Sequence, residues 1–130
     1  MNEFIHDGSS GKVTIDTLVT KTGTFDLSSG NLEINHYTGA FNADVSSGKL
    51  LLQIDKLNNP IDIDLSSGNV DLDLPDNANF TLDGEVSSGN ISSKFPLTTT
   101  ETDNKNLKGT HGSGKSKINI SVSSGDVDIY

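Results

Sequence analysis

The chain has no cysteine, no tryptophan and no arginine, and seven aromatic residues in 130. Without cysteine there is no disulfide and no thiolate metal site. Without arginine the usual bidentate reader of phosphate and guanine is missing. Apolar residues reach only 32%, thin for a wide sandwich interior but enough for a narrow core in a single domain. No run is long and apolar enough to span a bilayer as a helix, and Met1-Asn2-Glu3-Phe4 lacks the basic start and apolar stretch of a signal peptide. The sequence therefore reads either as cytosolic or as a piece of a longer chain. An open first repeat favours the piece. The net charge is −9, and residues 26–85 hold eleven acids against two lysines, which accounts for all of it. Nucleic acid, whose binding needs a basic face, is not an expected partner.

What the chain does have is repetition. Ser-Ser-Gly occurs six times, beginning at Ser9, Ser28, Ser46, Ser66, Ser87 and Ser123, with gaps of 19, 18, 20, 21 and 36 residues. Apolar–polar alternation flanks most copies, as in Ile61-Asp62-Ile63-Asp64-Leu65 before one and Asn69-Val70-Asp71-Leu72 after it. A period near 20 built from two-residue alternation is the signature of stacked β-repeats.

Each unit reads as strand, turn, strand and Ser-Ser-Gly corner. Asn31–Asn35 and Ala40–Val45 flank a turn at His36-Tyr37-Thr38-Gly39; Lys49–Asp55 and Ile61–Leu65 flank one at Leu57-Asn58-Asn59-Pro60. The glycine of each corner supplies a bend that a Cβ would obstruct, and stacked serines could hydrogen-bond along the column. The expected fold is all-β: a single-stranded, right-handed β-solenoid of about six rungs, each unit piled on its predecessor. Leu32, Ile34, Leu50, Leu52, Ile63, Leu65, Val70, Leu72, Ile91, Ile120, Val122 and Val127 are the expected core. Antiparallel hairpins in a sandwich are the alternative, and pairing of residues i and i+19 to i+21 in parallel separates the two. Residues 1–130 form one domain, with a long polar loop at 96–114 before the last rung.

The recurring Ser-Ser-Gly-Asn-apolar-x-apolar and the ending Ile118-Asn119-Ile120-Ser121-Val122-Ser123-Ser124-Gly125-Asp126-Val127-Asp128-Ile129 resemble the bacterial "putative adhesin" family, DUF4097, from about Gly8 to Tyr130. That resemblance implies a β-solenoid, often joined to a membrane segment or helical region in envelope-stress proteins of Gram-positive bacteria. It implies no catalytic residues.

Two patterns look like chemistry. Gly109-Thr110-His111-Gly112-Ser113-Gly114-Lys115-Ser116 matches the phosphate loop G-x-x-x-x-G-K-[ST]. An alternating strand follows it rather than the helix that would aim N–H groups at phosphates, so no nucleotide is expected. Asp7, Asp26, Asp44, Asp64 and Glu85 share one phase, acid-x-Ser-Ser-Gly. Stacked in register they form an acidic edge whose repulsion is relieved by splayed, hydrated side chains or by a bridging hard cation. Asp26, Asp44, Asp64 and Glu85 are the candidate ligands for weak calcium binding. Otherwise no cofactor is expected.

No enzyme is expected. His6, His36 and His111 lie in different units without metal-ligand spacing, and no Gly-x-Ser-x-Gly elbow follows a buried strand. Pairs such as Asp62/Asp64 and Asp71/Asp73 share a strand face about 7 Å apart, but Tyr37 and Tyr130 are too few for a sugar-stacking groove. The expected function is a non-catalytic scaffold or interaction module, adhesin-like, of the bacterial cell envelope. It could bind a protein or envelope component and self-associate through its ends. A carbohydrate-binding or carbohydrate-cleaving β-helix is the alternative.

Overall fold

The computed structural model describes residues 3–8, 11–56, 59–75, 78–94, 98–102, 106–114 and 116–130. Among these no helix occurs. Seven strands, β1 (Glu3–Gly8), β2 (Lys12–Lys56), β3 (Ile61–Asp73), β4 (Phe80–Ser93), β5 (Thr98–Thr102), β6 (Asn106–His111) and β7 (Ser116–Ile129), make one mixed sheet in the order β1-β2-β3-β7-β4-β6-β5. Ser9 and Ser10 of the first Ser-Ser-Gly, Leu57-Asn58 of the expected turn, Pro96-Leu97, residues 103–105 and Lys115 lie outside the described residues.

Pairing through most of the sheet is parallel and in register with the repeat. Glu3 to Gly8 pair with Thr22 to Leu27 at an offset of 19, and Phe41 to Gln53 pair with Ile61 to Asp73 at an offset of 20. These offsets exclude the antiparallel sandwich. Equivalent serines stack, Ser47 on Ser67, Ser67 on Ser124 and Ser124 on Ser88. The glycine column explains why the corner is fixed. At Gly48, φ is +134°, and an added Cβ would lie 1.6 Å from the carbonyl oxygen of Gly30; at Gly125 the same approach is to Gly68. No side chain fits between units this close, and the backbone angle excludes one independently.

Stacking of each unit on its predecessor holds through β3 and then fails. The C-terminal strand β7 inserts between β3 and β4, pairing in parallel with both: Ile61 opposite Ile118 and Phe80 opposite Ser116. The glycine column accordingly runs Gly11, Gly30, Gly48, Gly68, Gly125, Gly89. The insertion changes which acids face one another. With β4 directly on β3, Asp62 would face Asp83 and Asp64 would face Glu85. Insertion of β7 places uncharged Asn119 and Ser121 between those acids, and Asn119 Nδ2 donates to Asp62 Oδ1 at 2.9 Å. Those two like-charged pairs are thereby separated, although the same insertion sets Asp128 directly opposite Asp71.

The segment expected as a polar loop, 96–114, instead contributes two strands. β6 runs antiparallel along β4, from Phe80 opposite His111 to Glu85 opposite Asn106, and β5 pairs antiparallel with β6. Leu107 is buried, and the Phe80 and His111 rings stack at 5.4 Å. The hairpin covers an edge of β4 whose N–H and C=O groups would otherwise be unpaired.

All twelve residues expected in the core are buried. The largest buried side chains were not among them: Tyr37, Phe25, Phe41 and Phe80. Phe4, Phe25, Phe41 and Tyr37 form a run of ring contacts at 5.2 to 5.4 Å. Tyr37 belongs to continuous strand rather than a turn, and the bend comes two residues later at Gly39, φ +129°. Gly23 is the space the tyrosine needs, since a Cβ there would meet its hydroxyl.

Candidate functional site

Outward-facing side chains of five neighbouring strand segments line an open trough of about 570 Å³. Its two long walls follow from alternation: residues two apart on one strand share a face, and parallel register repeats the pair on each neighbour. Six carboxylates line it, Asp26, Asp44, Asp62, Asp64, Asp83 and Glu85, together with Asn42, Asn119, Thr24 and Ser121.

The structure gathers Asp26, Asp44, Asp64 and Glu85, the expected calcium ligands, on this one face, but not as an unbroken column. Asp7 pairs with Asp26 and Asp44 with Asp64. Glu85 is separated from Asp64 by Ser121, about 10 Å at two strand spacings. Among the described residues no three acidic or imidazole groups come together as a metal site. Stacking in chain order would set Glu85 directly after Asp64. The readable signal was Ser121, which stands where the other copies carry an acid.

One cation already lies at the trough. Lys108 Nζ, from β6, is 3.7 Å from Asp83 Oδ1 and 3.5 Å from Glu85 Oε1. Elsewhere the acids are relieved singly: Lys12 lies 3.8 Å from Glu33 and Lys49 3.8 Å from Asp71, while Ser92 Oγ donates to Asp128 Oδ1 at 2.9 Å. These exposed pairs contribute roughly 0–1 kcal/mol each.

The three histidines are not brought together. His6 is half-buried on β1, and His36 is exposed, with Nδ1 3.0 Å from Asp55 Oδ1. That hydrogen bond, with the charge of Asp55 behind it, raises the imidazole above its usual range. His111 Nδ1 lies 2.7 Å from the Ala78 carbonyl, and its ring rests on Phe80. The phosphate-loop match joins strand to strand. Gly112 and Gly114 turn with φ near +66° and +69°, Asn79 Oδ1 accepts the Ser113 N–H at 3.1 Å, and Ser116, buried, opens β7. Among the described residues no helix N-terminus faces the loop.

Neither tyrosine offers a ring to the trough. Tyr37 is fully buried, its hydroxyl donating to the Ala40 carbonyl, and burial pushes it up to about 12. Tyr130 lies beneath Lys94 Nζ, 5.3 Å from the ring centroid. Its hydroxyl is raised, first by partial desolvation and then by Asp71, Asp73 and Asp128. Asp62 and Asp64 do share one face, as alternation requires, with Asp62 held by Asn119.

Comparison with known proteins bears on the fold and the family. A crystal structure described as that of "a putative cell adhesion protein" from Clostridium sporogenes superposes with a TM-score of 0.69. The two share 11% sequence identity over 98% of this chain and 92% of that one; at that identity the likeness is one of fold. No curated protein matches the sequence. The profile of the Toastrack DUF4097 family matches residues 1–130, as the Ser-Ser-Gly repeat led us to expect, and the chain belongs to that family.

Proposed function

We propose that this protein is a non-catalytic interaction module of the bacterial cell envelope. In this reading it is a short right-handed β-solenoid whose working surface is the acidic trough. The observation that carries the reading is the trough itself: six carboxylates held on one rigid face by parallel register. A sheet with in-register neighbours on both sides holds outward side chains at fixed spacing, which favours an extended partner lying across the strands. The excess of nine negative charges falls in residues 26–85, which supply all six of these acids, so the complementary partner is a cationic segment or surface. Lys108 shows an ammonium accepted at one end of the same face. The description of the Clostridium neighbour as an adhesion protein supports the envelope setting.

Calorimetric titration with a lysine-rich extended peptide, at low and at physiological salt, tests this. Binding that weakens as salt screens the face, and that falls at least tenfold in an Asp62→Asn/Asp64→Asn double variant, is the expected result. Binding indifferent to both salt and the double variant would overturn it. Parallel titration with calcium alone, and a glycan array, separate the cation and carbohydrate readings of the same residues.

A further inference from the structure

We propose that the β1 edge is a self-association surface: two copies of the chain pair antiparallel through β1 about a two-fold axis at Ile5. This goes beyond the trough reading and does not depend on it.

Among the described residues, every inner strand of the sheet has a neighbour on both sides, and the far side of β4 is covered by β6. The outer side of β1 has no strand beside it among those residues. The surface presented there continues an interface that the chain forms repeatedly within itself, and it is left incomplete. Phe4, Val13 and Ile15 of the first unit are only partly buried, whereas Leu32, Ile34, Leu50 and Leu52 of the following units are fully buried. Among the described residues Ile5 and Val19, 64% and 62% exposed, are the most exposed large apolar ones, and both belong to this first unit. An unpaired edge with apolar side chains on both of its faces is a template for another strand.

The opposite end of the sheet points to what that strand is. There β4 is closed by an antiparallel strand that sets His111 opposite Phe80 with rings stacked. β1 carries both halves of the same pair, Phe4 and His6, two residues apart on its inward face. Antiparallel pairing with Ile5 on the axis puts Ile5 against Ile5 of the second copy. It also puts Phe4 against His6 twice, with every inward residue opposite an inward one. Displacement by one residue would set inward positions against outward ones. A head-to-tail arrangement would instead bring β1 to β5, whose sequence Thr98-Thr99-Thr100-Glu101-Thr102 has no apolar residue to match it. The two-fold register also sets Glu3 opposite Asp7 of the second copy. The dimer therefore tightens as salt rises, opposite to the behaviour expected at the trough.

The absence of cysteine makes a direct test available. In Ile5→Cys the single thiol lies on the axis, facing its copy at directly opposed strand positions about 4.5–5.5 Å apart, within disulfide reach. The expected result is a covalent dimer under mild oxidation, with Thr14→Cys, exposed but off the axis, remaining largely monomeric. Sedimentation of the unmodified protein should show a dimer that grows with concentration and with salt. Ile5→Lys should be monomeric throughout, with an unchanged circular dichroism spectrum. A monomer at all concentrations, a dimer that survives Ile5→Lys, or equal crosslinking of the two cysteine variants would each overturn the proposal.

Discussion

The two ends of the sheet solve the same problem differently. At the β4 end an antiparallel strand covers the last parallel one, Leu107 is buried and Lys108 neutralises the outermost acids. At the β1 end Phe4, Val13 and Ile15 remain half-covered and Ile5 stands in solvent. The unit is nearly the same at both ends; what differs is the neighbour. A repeat of this kind owes its stability less to its own sequence than to being covered on both sides, so a given substitution should cost according to its depth in the stack.

The largest contrast is expected in the glycine column. In Gly68→Ala the new Cβ meets the Gly48 carbonyl oxygen at 1.7 Å with φ at +130°. A loss of about 4 kcal/mol or more, or no cooperative urea transition at all, should follow. Gly11 has a similar φ of +111°, but nothing lies within 4 Å of its added Cβ. Gly11→Ala carries backbone strain alone and should cost about 1–2 kcal/mol. Equal midpoint shifts for the two variants would break the distinction between covered and open ends.

Alternation and a constant period made the columns legible. Leu50, Val70 and Val127 had to be inward because Lys49, Asn69 and Asp126 are polar and adjacent, and Ser-Ser-Gly fixed the phase. The order of the columns was harder to read, because two units with the same alternation can neighbour each other in either sequence. Asn119 and Ser121 are neutral where β3 and β4 are acidic, but Asp128 stands opposite Asp71 in the same register, so charge alone does not fix the order. Tyr37 was hidden because His-Tyr-Thr-Gly has turn chemistry; only the empty inward position at Gly23 shows that a large ring has somewhere to go. Residues 96–114 read as a polar loop because they offer almost nothing to bury; within them Leu107 and Gly109 alternate as a strand must.

The next contrast is between the caps. Leu107→Ala removes a buried side chain from the covering strand and should cost about 2–3 kcal/mol. Ile5→Ala at the open edge should change monomer stability by less than about 0.5 kcal/mol, measured at concentrations low enough to exclude association. A large loss at Ile5 in the monomer would mean that the β1 edge is covered from within the chain.

The last contrast uses the tyrosines to report how tightly the first units close. In an unfolded chain the phenol loses its proton near pH 10; in the fold Tyr37 holds it to about 12, because burial disfavours phenolate. The folded state thus binds the proton more tightly. Its contribution is fully present below pH 10 and falls away as pH rises from 10 to 12, by roughly 2–3 kcal/mol in all. Phenolate absorbance near 295 nm, in the unmodified protein and in Tyr130→Phe, isolates the Tyr37 titration. Ionisation of Tyr37 at pH 10 in the folded protein would mean that water reaches the ring from the open end through the Gly23 gap. The first unit would then be a loosely held cover rather than part of the core, and the two ends would differ in closure as well as in pairing.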